Sequence, residues 1–371
     1  MPYLGENIKK LGFGLMRLPM IGDEIDLEQT KRMADLFLEK GFNYFDTAYG
    51  YIEGKSEKIV KPVLVDRYPR ESFLLATKLP AWDARTAEQA KQMLFTSLER
   101  TGAGYFDFYL LHNLGVGRSK VFDDFGIWDF LAEQKEKGLI RHLGFSCHSR
   151  ADFLDDILTA HPEMEFVQLQ INYADWESES IESRKCYEVA RKHNKPIIIM
   201  EPVKGGVLAN LPESVGKILK AAAPDASEAS WALRFGASLD GIITVLSGMS
   251  SLEQMEENLA FMDNFAPLTP SELKTIERAS VALEAIDRIP CTGCGYCLKD
   301  CPQNINIPGI LDCLNFDLVY DDLDRARREY VFASSSADAS DCIACGQCES
   351  VCPQSIKIID HLARAAEVLE K

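Results

Sequence analysis

The feature that most constrains the fold is an alternation of short, β-rich runs with amphipathic helical patterns over residues 1 to about 285. Runs rich in β-branched and aromatic residues predict strands, whereas helical periodicity predicts the segments between them. Eight strand-like runs occur, at residues 11–16, 42–48, 73–79, 106–113, 142–148, 166–172, 196–202 and 241–248. Because strands that alternate with helices form parallel sheets, eight such units predict a (β/α)8 TIM barrel.

A doubly wound sheet is the main alternative for such an alternation, and the sequence disfavours it. No Gly-x-Gly-x-x-Gly pattern follows any of the strand-like runs, as a dinucleotide-binding unit of that kind requires. Two helical patterns without an intervening strand occupy residues 214–238. They predict one helix pair in addition to the barrel helices.

The charge balance argues against two classes of binding partner, nucleic acids and membranes. The chain has 57 acidic and 40 basic residues, a formal net charge of -17, and no run rich in Lys or Arg. Such a field repels nucleic acid and anionic membrane surfaces. The first ten residues lack the apolar core of a signal peptide, and no apolar stretch approaches about 18 residues. We therefore expect a cytoplasmic protein with neither nucleic acid nor membrane as a partner.

Four polar residues, Asp46, Tyr51, Lys78 and His112, lie at or just beyond the carboxyl ends of three neighbouring predicted strands. In a barrel these strand ends face the active-site mouth. Lys78 is expected to lower the pKa of Tyr51 and to pair with Asp46, since a lone buried charge is costly. His112 is expected to orient a carbonyl or relay the proton. Singly each is more often a packed or solvated residue, but together they suit protonation of an alkoxide as hydride arrives at carbon.

Several segments resemble, in order and spacing, the motifs of the aldo-keto reductase superfamily. They are FDTAYGYIEGKSE (45–57), LLATKLP (74–80), FDFYLLHN (106–113) and VLSGMSSLEQMEEN (245–258), and the resemblance covers roughly residues 8–265. It implies a (β/α)8 barrel that reduces a small carbonyl substrate with NADPH or NADH, without metal or flavin in the barrel. It also implies a catalytic tetrad of Asp46, Tyr51, Lys78 and His112, with Tyr51 as the general acid.

The same resemblance implies a set of cofactor contacts. The segment GFGLMR (12–17) is similar to the one that approaches the nicotinamide, and two polar residues further on match the contacts to its carboxamide. The implied cofactor-binding residues are Gly14, Met16, Arg17 and Asp46; Ser146 and Gln170 at the carboxamide; Ser247, Gly248 and Ser250 at the diphosphate; and Gln254, Glu257 and Asn258 on the adenosine side.

The sequence departs from the family pattern in three places. Cys147 follows the carboxamide serine, where the family commonly has Asn, and Met200, followed by Glu201, stands where a Tyr often stacks on the nicotinamide. The segment LSGMSSLEQ has no Lys or Arg for a 2′-phosphate. The choice between NADP and NAD therefore stays open, as does a barrel that keeps the tetrad but binds no nicotinamide.

Two runs near the C-terminus, beginning at Cys291 and Cys342, each read C-x2-C-x2-C-x3-C-P. Thiolates suit iron–sulfur clusters, and in bacterial two-cluster ferredoxins the fourth Cys of each run ligates the other cluster. This pattern predicts two [4Fe–4S] clusters, one held by Cys291, Cys294, Cys297 and Cys352 and the other by Cys342, Cys345, Cys348 and Cys301. Zinc in C-x2-C pairs is the alternative.

The resemblance to a bacterial-type ferredoxin covers about residues 288–358. We therefore expect two domains, a barrel at 1–285 and a small α+β ferredoxin-like domain with a C-terminal helix at 286–371. In the favoured interpretation the barrel is a carbonyl reductase and the clusters are structural, oxygen-sensing or partner-docking. Alternatively, electrons from a redox partner such as a ferredoxin enter through the clusters, or the protein is mainly an electron carrier.

Overall fold

The structure is a computed structural model that describes residues 3–115, 119–179, 181–286, 288–289, 291, 296–299, 301–350, 352 and 356–371. Two compact units are present, one made of residues 1–209 and 229–273 and the other of 210–228 and 274–371. The domain boundary expected at 285 stays a prediction.

The strands of the described residues lie in the first unit. In chain order they are β1 (Leu11–Gly14), β2 (Met20–Ile21), β3 (Glu24–Ile25), β4 (Tyr44–Asp46), β5 (Leu74–Leu79), β6 (Phe106–Leu114), β7 (Ile140–Cys147), β8 (Phe166–Gln170), β9 (Ile197–Met200) and β10 (Ile242–Gly248). Eight of them form a closed parallel barrel in the order β1-β10-β9-β8-β7-β6-β5-β4, and β1 pairs with β4. All eight expected strands are present, so the predicted (β/α)8 barrel is confirmed.

The helices follow the expected alternation. They are α1 (Leu27–Glu39), α2 (Lys55–Val60), α3 (Ala87–Thr101), α4 (Lys120–Asp124), α5 (Ile127–Glu136), α6 (Ala151–Ala160), α7 (Ser183–Lys192), α8 (Glu213–Ala222), α9 (Glu228–Ala237), α10 (Leu252–Met262), α11 (Pro270–Glu284), α12 (Tyr296–Lys299), α13 (Ile307–Tyr320), α14 (Leu323–Ala333), α15 (Gln347–Ser350) and α16 (Ile358–Leu369). α3 shows why the boundaries fall where they do. At the start of α3 the Thr86 hydroxyl accepts a hydrogen bond from the Gln89 backbone N–H. At its end Gly102 adopts the left-handed conformation, with φ 64°.

Apolar side chains fill the barrel interior. Tyr44, Phe108, Phe166 and Ile198 belong to one cluster inside the barrel, and none of them is more than 2% exposed. Fully burying a large apolar side chain contributes about 1.5–3 kcal/mol, so this cluster fixes the strands that carry the polar residues at their carboxyl ends. The barrel interior is therefore a packed core, and a site can form only at an end of the barrel.

Two details concern elements other than the eight barrel strands. The expected extra helix pair is present as α8 and α9. The antiparallel hairpin of β2 and β3 was not expected, because its strands have only two residues each and are largely exposed. Such short strands leave no apolar alternation in the sequence.

The second unit has its own hydrophobic core, formed by Ile310, Leu314, Ala326, Leu362 and Ala365 among others. These residues lie on α13, α14 and α16, which pack against one another. Within the described residues of 274–371 the regular elements are helices, with no strand. None of the helices in the described part of the chain is long and apolar enough to cross a membrane.

Candidate active site

The centre of the site is a buried ion pair between Lys78 of β5 and Asp46 at the end of β4. The Lys78 ammonium lies 2.5 Å from Asp46 Oδ1, and the two side chains are 0% and 3% exposed. Lys78 also donates to the Thr47 carbonyl at 2.8 Å. Among the described residues, Asp46 Oδ2 is buried without a hydrogen-bond partner. The site therefore has an acceptor available for a group that enters it.

Tyr51 follows β4 on a short 3-10 turn, Tyr51–Gly54. The Lys78 ammonium lies 4.9 Å from the centre of the Tyr51 ring, close enough for electrostatic attraction to the ring and the phenol. The turn is unusual because Ile52 and Glu53 have φ values of 48° and 55°, in the left-handed region. A β-branched residue rarely adopts that conformation, so the loop that carries Tyr51 is held by its surroundings.

The pKa of Tyr51 corrects one expectation. Burial raises the pKa of the phenol above its usual value of 10.0, and the Lys78 ammonium and its hydrogen bond to the phenol only partly offset this effect. For Lys78, burial lowers the pKa, but the interactions of its ammonium with Asp46 and Tyr51 together outweigh burial and raise it. The predicted lowering by Lys78 is thus real but smaller than the effect of burial. At neutral pH both groups hold their protons.

His112 reaches the site through an irregularity in β6. The pairing with β7 shifts between Leu111 and Leu114, so His112 lies in a bulge. Its ring centre is 5.9 Å from that of Tyr51, edge to face, and 5.4 Å from that of Trp82. All four predicted tetrad residues therefore converge, with an aromatic side chain beside them.

Ser146 and Gln170 lie at the ends of the neighbouring strands β7 and β8, as expected. The Ser146 hydroxyl accepts the backbone N–H of Asn113 at 2.7 Å. The Gln170 amide nitrogen donates to Asp175 at 3.1 Å. Because an ionised carboxylate only accepts, Asp175 fixes which end of the Gln170 amide faces it. Ser146 therefore keeps a proton to donate, and Gln170 keeps its oxygen to accept.

Asp175 is a functional candidate that the sequence did not reveal. It is 4% exposed and receives hydrogen bonds from Gln170, from Asn172 at 2.8 Å and from the Lys204 ammonium at 2.5 Å. Asn172 also donates to the carbonyl of Glu201, which has φ 55°. Lys204 lies 29 residues after Asp175, and no local motif connects them.

The predicted diphosphate residues gather where β1 and β10 meet. Gly14 pairs with Gly248, and a Cβ on Gly248 would lie 3.3 Å from the Arg17 side chain. The Ser250 hydroxyl donates to the Arg17 carbonyl at 2.9 Å, and its amide donates to Gln254 at 2.7 Å. This edge thus places the exposed cation Arg17 against Gly248, where any side chain would crowd it.

The remaining predicted cofactor residues are of two kinds. Asn258 is buried on α10, which begins just after β10, and donates to the Ser247 hydroxyl at 3.1 Å. Met16 is 53% exposed, and Glu257 is exposed on α10. Asn258 and Ser247 are therefore hydrogen-bonded to each other, whereas Met16 and Glu257 are exposed to solvent.

The second unit contains the cysteine runs. Cys301, Cys342, Cys345 and Cys348 line one cavity and form no disulfide. They are the four ligands predicted for the second cluster, including the crossed one from the first run. As their side chains stand, no three described His, Cys, Asp or Glu groups converge tightly enough to hold a metal ion. The four cysteines fit a cluster because the loops that carry them converge on one cavity lined by thiols.

The first predicted cluster is less completely described. Cys294 lies outside the described residues. Cys291, Cys297 and Cys352 are described and pack against the hydrophobic core of the second unit. These three thiols are thus shielded at least in part from solvent.

Comparison with known proteins gives the class. The chain belongs to the aldo/keto reductase family, whose model matches residues 10–281. A model of the 4Fe-4S dicluster domain matches residues 290–357. The protein is therefore an oxidoreductase of this family with two [4Fe–4S] clusters as cofactors, and the recognition of both parts from sequence is confirmed.

Individual relatives each match about three quarters of the chain. Aldo-keto reductase AKR11C1 from Bacillus halodurans, in its holo form, is 26% identical with a TM-score of 0.62, covering 75% of this chain and 95% of its own. An aldo/keto reductase from Klebsiella pneumoniae, solved with NADP and acetate, is 20% identical with a TM-score of 0.59 and coverages of 73% and 91%. The uncharacterized oxidoreductase YqkF of Bacillus subtilis is 24% identical over 304 residues, 73% of this chain and 92% of YqkF.

Proposed function

We propose that the barrel reduces a small carbonyl substrate by hydride from NADPH or NADH, with Tyr51 as the general acid. The observation that carries this proposal is the buried Lys78 ammonium, which lies 2.5 Å from Asp46 and beside the Tyr51 ring. The reduced nicotinamide, when bound, supplies the hydride. The protein supplies a proton and a fixed positive charge where negative charge develops on oxygen.

The proton on Tyr51 is the one transferred. Its raised pKa keeps the phenol protonated at neutral pH, so the donor is available. After transfer the phenolate lies beside the Lys78 ammonium, whose charge stabilises it. Asp46 holds that ammonium in place, and His112, with its ring centre 5.9 Å from that of Tyr51, supplies ring nitrogens for the substrate oxygen.

The carboxamide of a nicotinamide has one acceptor oxygen and a donor amine. Ser146 retains a hydroxyl proton to donate and Gln170 retains an oxygen to accept, on adjacent strand ends. This pair of groups complements a primary amide. It supports nicotinamide binding over a barrel that keeps the tetrad without the cofactor.

The diphosphate is proposed to lie against Gly248 and Ser250 and at the start of α10, with the adenosine side at Gln254, Glu257 and Asn258. A helix start offers backbone N–H groups and a favourable dipole to phosphate. Arg17 adds a positive charge at the same edge. The segment LSGMSSLEQ has no Lys or Arg of its own. The Klebsiella pneumoniae reductase was solved with NADP, and this supports testing NADPH first.

Hydride transfer is tested with cofactor deuterated at the transferred position and para-nitrobenzaldehyde as substrate. Mass spectrometry of the alcohol should show one deuterium on the carbinol carbon. An alcohol without deuterium, with cofactor consumed, would exclude direct transfer. NADPH and NADH are compared under the same conditions.

We propose an electron-transfer or structural role for the clusters, with the crossed ligand sets given above. The alternative, in which electrons from a ferredoxin-like partner enter through the clusters, is favoured by one observation. Cys345 is exposed and Ile343 is 60% exposed on the same thiol-lined cavity, so a bound cluster lies near the surface. Exposed clusters exchange electrons with partners most readily.

An anaerobic optical titration distinguishes the two roles. NADPH, then NADH, then dithionite are added to protein with both clusters in place. Bleaching of the cluster absorption by dithionite alone supports a carbonyl reductase whose clusters do not exchange electrons with its cofactor. Bleaching by nicotinamide requires a bound mediator and supports the electron-transfer enzyme.

A further inference from the structure

A second buried ion pair lies behind the loop that carries Tyr51. Glu57 of α2 is 0% exposed and Arg100 of α3 is 21% exposed, with 3.0 Å between the guanidinium and Glu57 Oε2. The other Glu57 oxygen accepts the Thr77 hydroxyl at 2.8 Å. Neither Glu57 nor Arg100 belongs to the tetrad or to the proposed cofactor contacts.

Each end of this network is attached to a tetrad residue through the backbone. Thr77 directly precedes Lys78 in β5. Arg100 donates to the Tyr49 carbonyl at 2.9 Å, and its guanidinium lies 4.2 Å from the centre of the Tyr49 ring, two residues before Tyr51. One charged network therefore connects the strand that carries the ammonium to the loop that carries the phenol.

The loop itself requires such support. Ile52 and Glu53 have left-handed backbone, which persists only where surrounding contacts over-determine it. Gly54 makes room for the support, since a Cβ there would lie 3.1 Å from the Arg100 guanidinium carbon. The guanidinium thus lies against the residue that directly follows the two left-handed positions.

We propose that Glu57 and Arg100 are a positioning pair that sets the phenol of Tyr51 against the ammonium of Lys78. This inference rests on the proposed function, because it acts through Tyr51 as the acid. The pair touches neither substrate nor cofactor. Its removal lets the loop relax while the cofactor contacts on the other strands stay in place.

A matched control exists at the opposite end of the barrel. Arg70 pairs with Asp107, near the start of β6, at 2.7 Å, with exposures of 14% and 2%. Arg70 also donates to the Tyr105 carbonyl at 2.8 Å and lies 3.9 Å from the Tyr105 ring centre. It thus repeats the contacts of Arg100 at a distance from Tyr51.

The test compares Arg100→Met with Arg70→Met in protein with both clusters, using para-nitrobenzaldehyde and NADPH or NADH. Both variants should lower the thermal midpoint. Arg100→Met alone should lower kcat by about 10- to 100-fold and shift the alkaline limb of its pH profile, with cofactor KM unchanged. Arg100→Lys should restore part of kcat, because an ammonium still pairs with Glu57.

A kcat for Arg100→Met within about twofold of wild type would overturn the proposal, as would an equal loss in Arg70→Met. If Arg100→Met does not fold, Glu57→Gln gives the same kcat and pH readout with a smaller change in shape. Failure of the proposed function looks different. In that case Tyr51→Phe itself retains turnover.

Discussion

Lys78 holds its ammonium 2.5 Å from the Asp46 carboxylate in a place that solvent does not reach, and the same ammonium lies 4.9 Å from the Tyr51 ring centre. A fully buried charge pair contributes little net stability but is expensive to break. We therefore attribute the purpose of this pair to the effect of the ammonium on the phenol rather than to stability.

Breaking this pair from one side should be costly. Lys78→Met leaves the Asp46 carboxylate buried and unpaired, so we expect about 3–5 kcal/mol lower free energy of unfolding, together with loss of turnover. Urea unfolding followed by fluorescence measures the difference. The double variant Lys78→Met, Asp46→Asn should recover part of the stability but none of the turnover. A single variant within about 1 kcal/mol of wild type would contradict the buried pair.

The pH dependence follows from the raised pKa of Tyr51. An acid must be protonated to act, so activity is lost as pH rises through its pKa. Because burial raises that pKa above 10.0, kcat/KM for reduction should be flat through the neutral range and fall only above about pH 10. A pH profile with para-nitrobenzaldehyde measures this. An alkaline limb near neutrality would show that Lys78 outweighs burial after all.

Much of this arrangement was predictable from sequence, for identifiable reasons. The eight strands are apolar runs bounded by helical periodicity. Asp46, Lys78 and His112 each lie toward the carboxyl end of a strand that could be located, and Tyr51 follows the first of these strands. The ordering of effects on the Tyr51 pKa was not predictable, because it depends on how completely packing excludes water.

The supporting contacts were not predictable either. Glu57 and Arg100 are 43 residues apart, on different helices, and meet only once α2 packs against α3. Asp175 and Lys204 meet in the same way across two strand ends. Neither pair has a fixed spacing that a motif could express.

The orientation of Gln170 gives a test of cofactor recognition. Asp175→Asn can donate as well as accept, so it no longer forces the Gln170 nitrogen toward itself. We expect the Kd for the nicotinamide cofactor to rise about 10-fold, the value of one hydrogen bond, with kcat little changed. Titration of cofactor fluorescence measures Kd directly. An unchanged Kd would show that Gln170 does not contact the cofactor.

The crossed ligation of the clusters is tested by iron content. Cys301→Ser should lose the second cluster, and with it about half of the bound iron, because a ligand from the first run completes the set. Cys313→Ala is the matched control, since Cys313 is a buried thiol of the same unit outside both runs. Iron analysis after anaerobic purification gives the comparison. Full iron in Cys301→Ser, or equal losses in both variants, would be incompatible with the ligand set.

The role of Tyr51 is the central claim, and the most direct measurement is the turnover of Tyr51→Phe with para-nitrobenzaldehyde under anaerobic conditions, beside a direct measurement of cofactor Kd. We predict that kcat falls by about 10²- to 10⁴-fold, the usual contribution of a general acid, while the cofactor Kd stays at the wild-type value. Wild-type turnover in Tyr51→Phe would contradict the account, because the proton would then come from elsewhere.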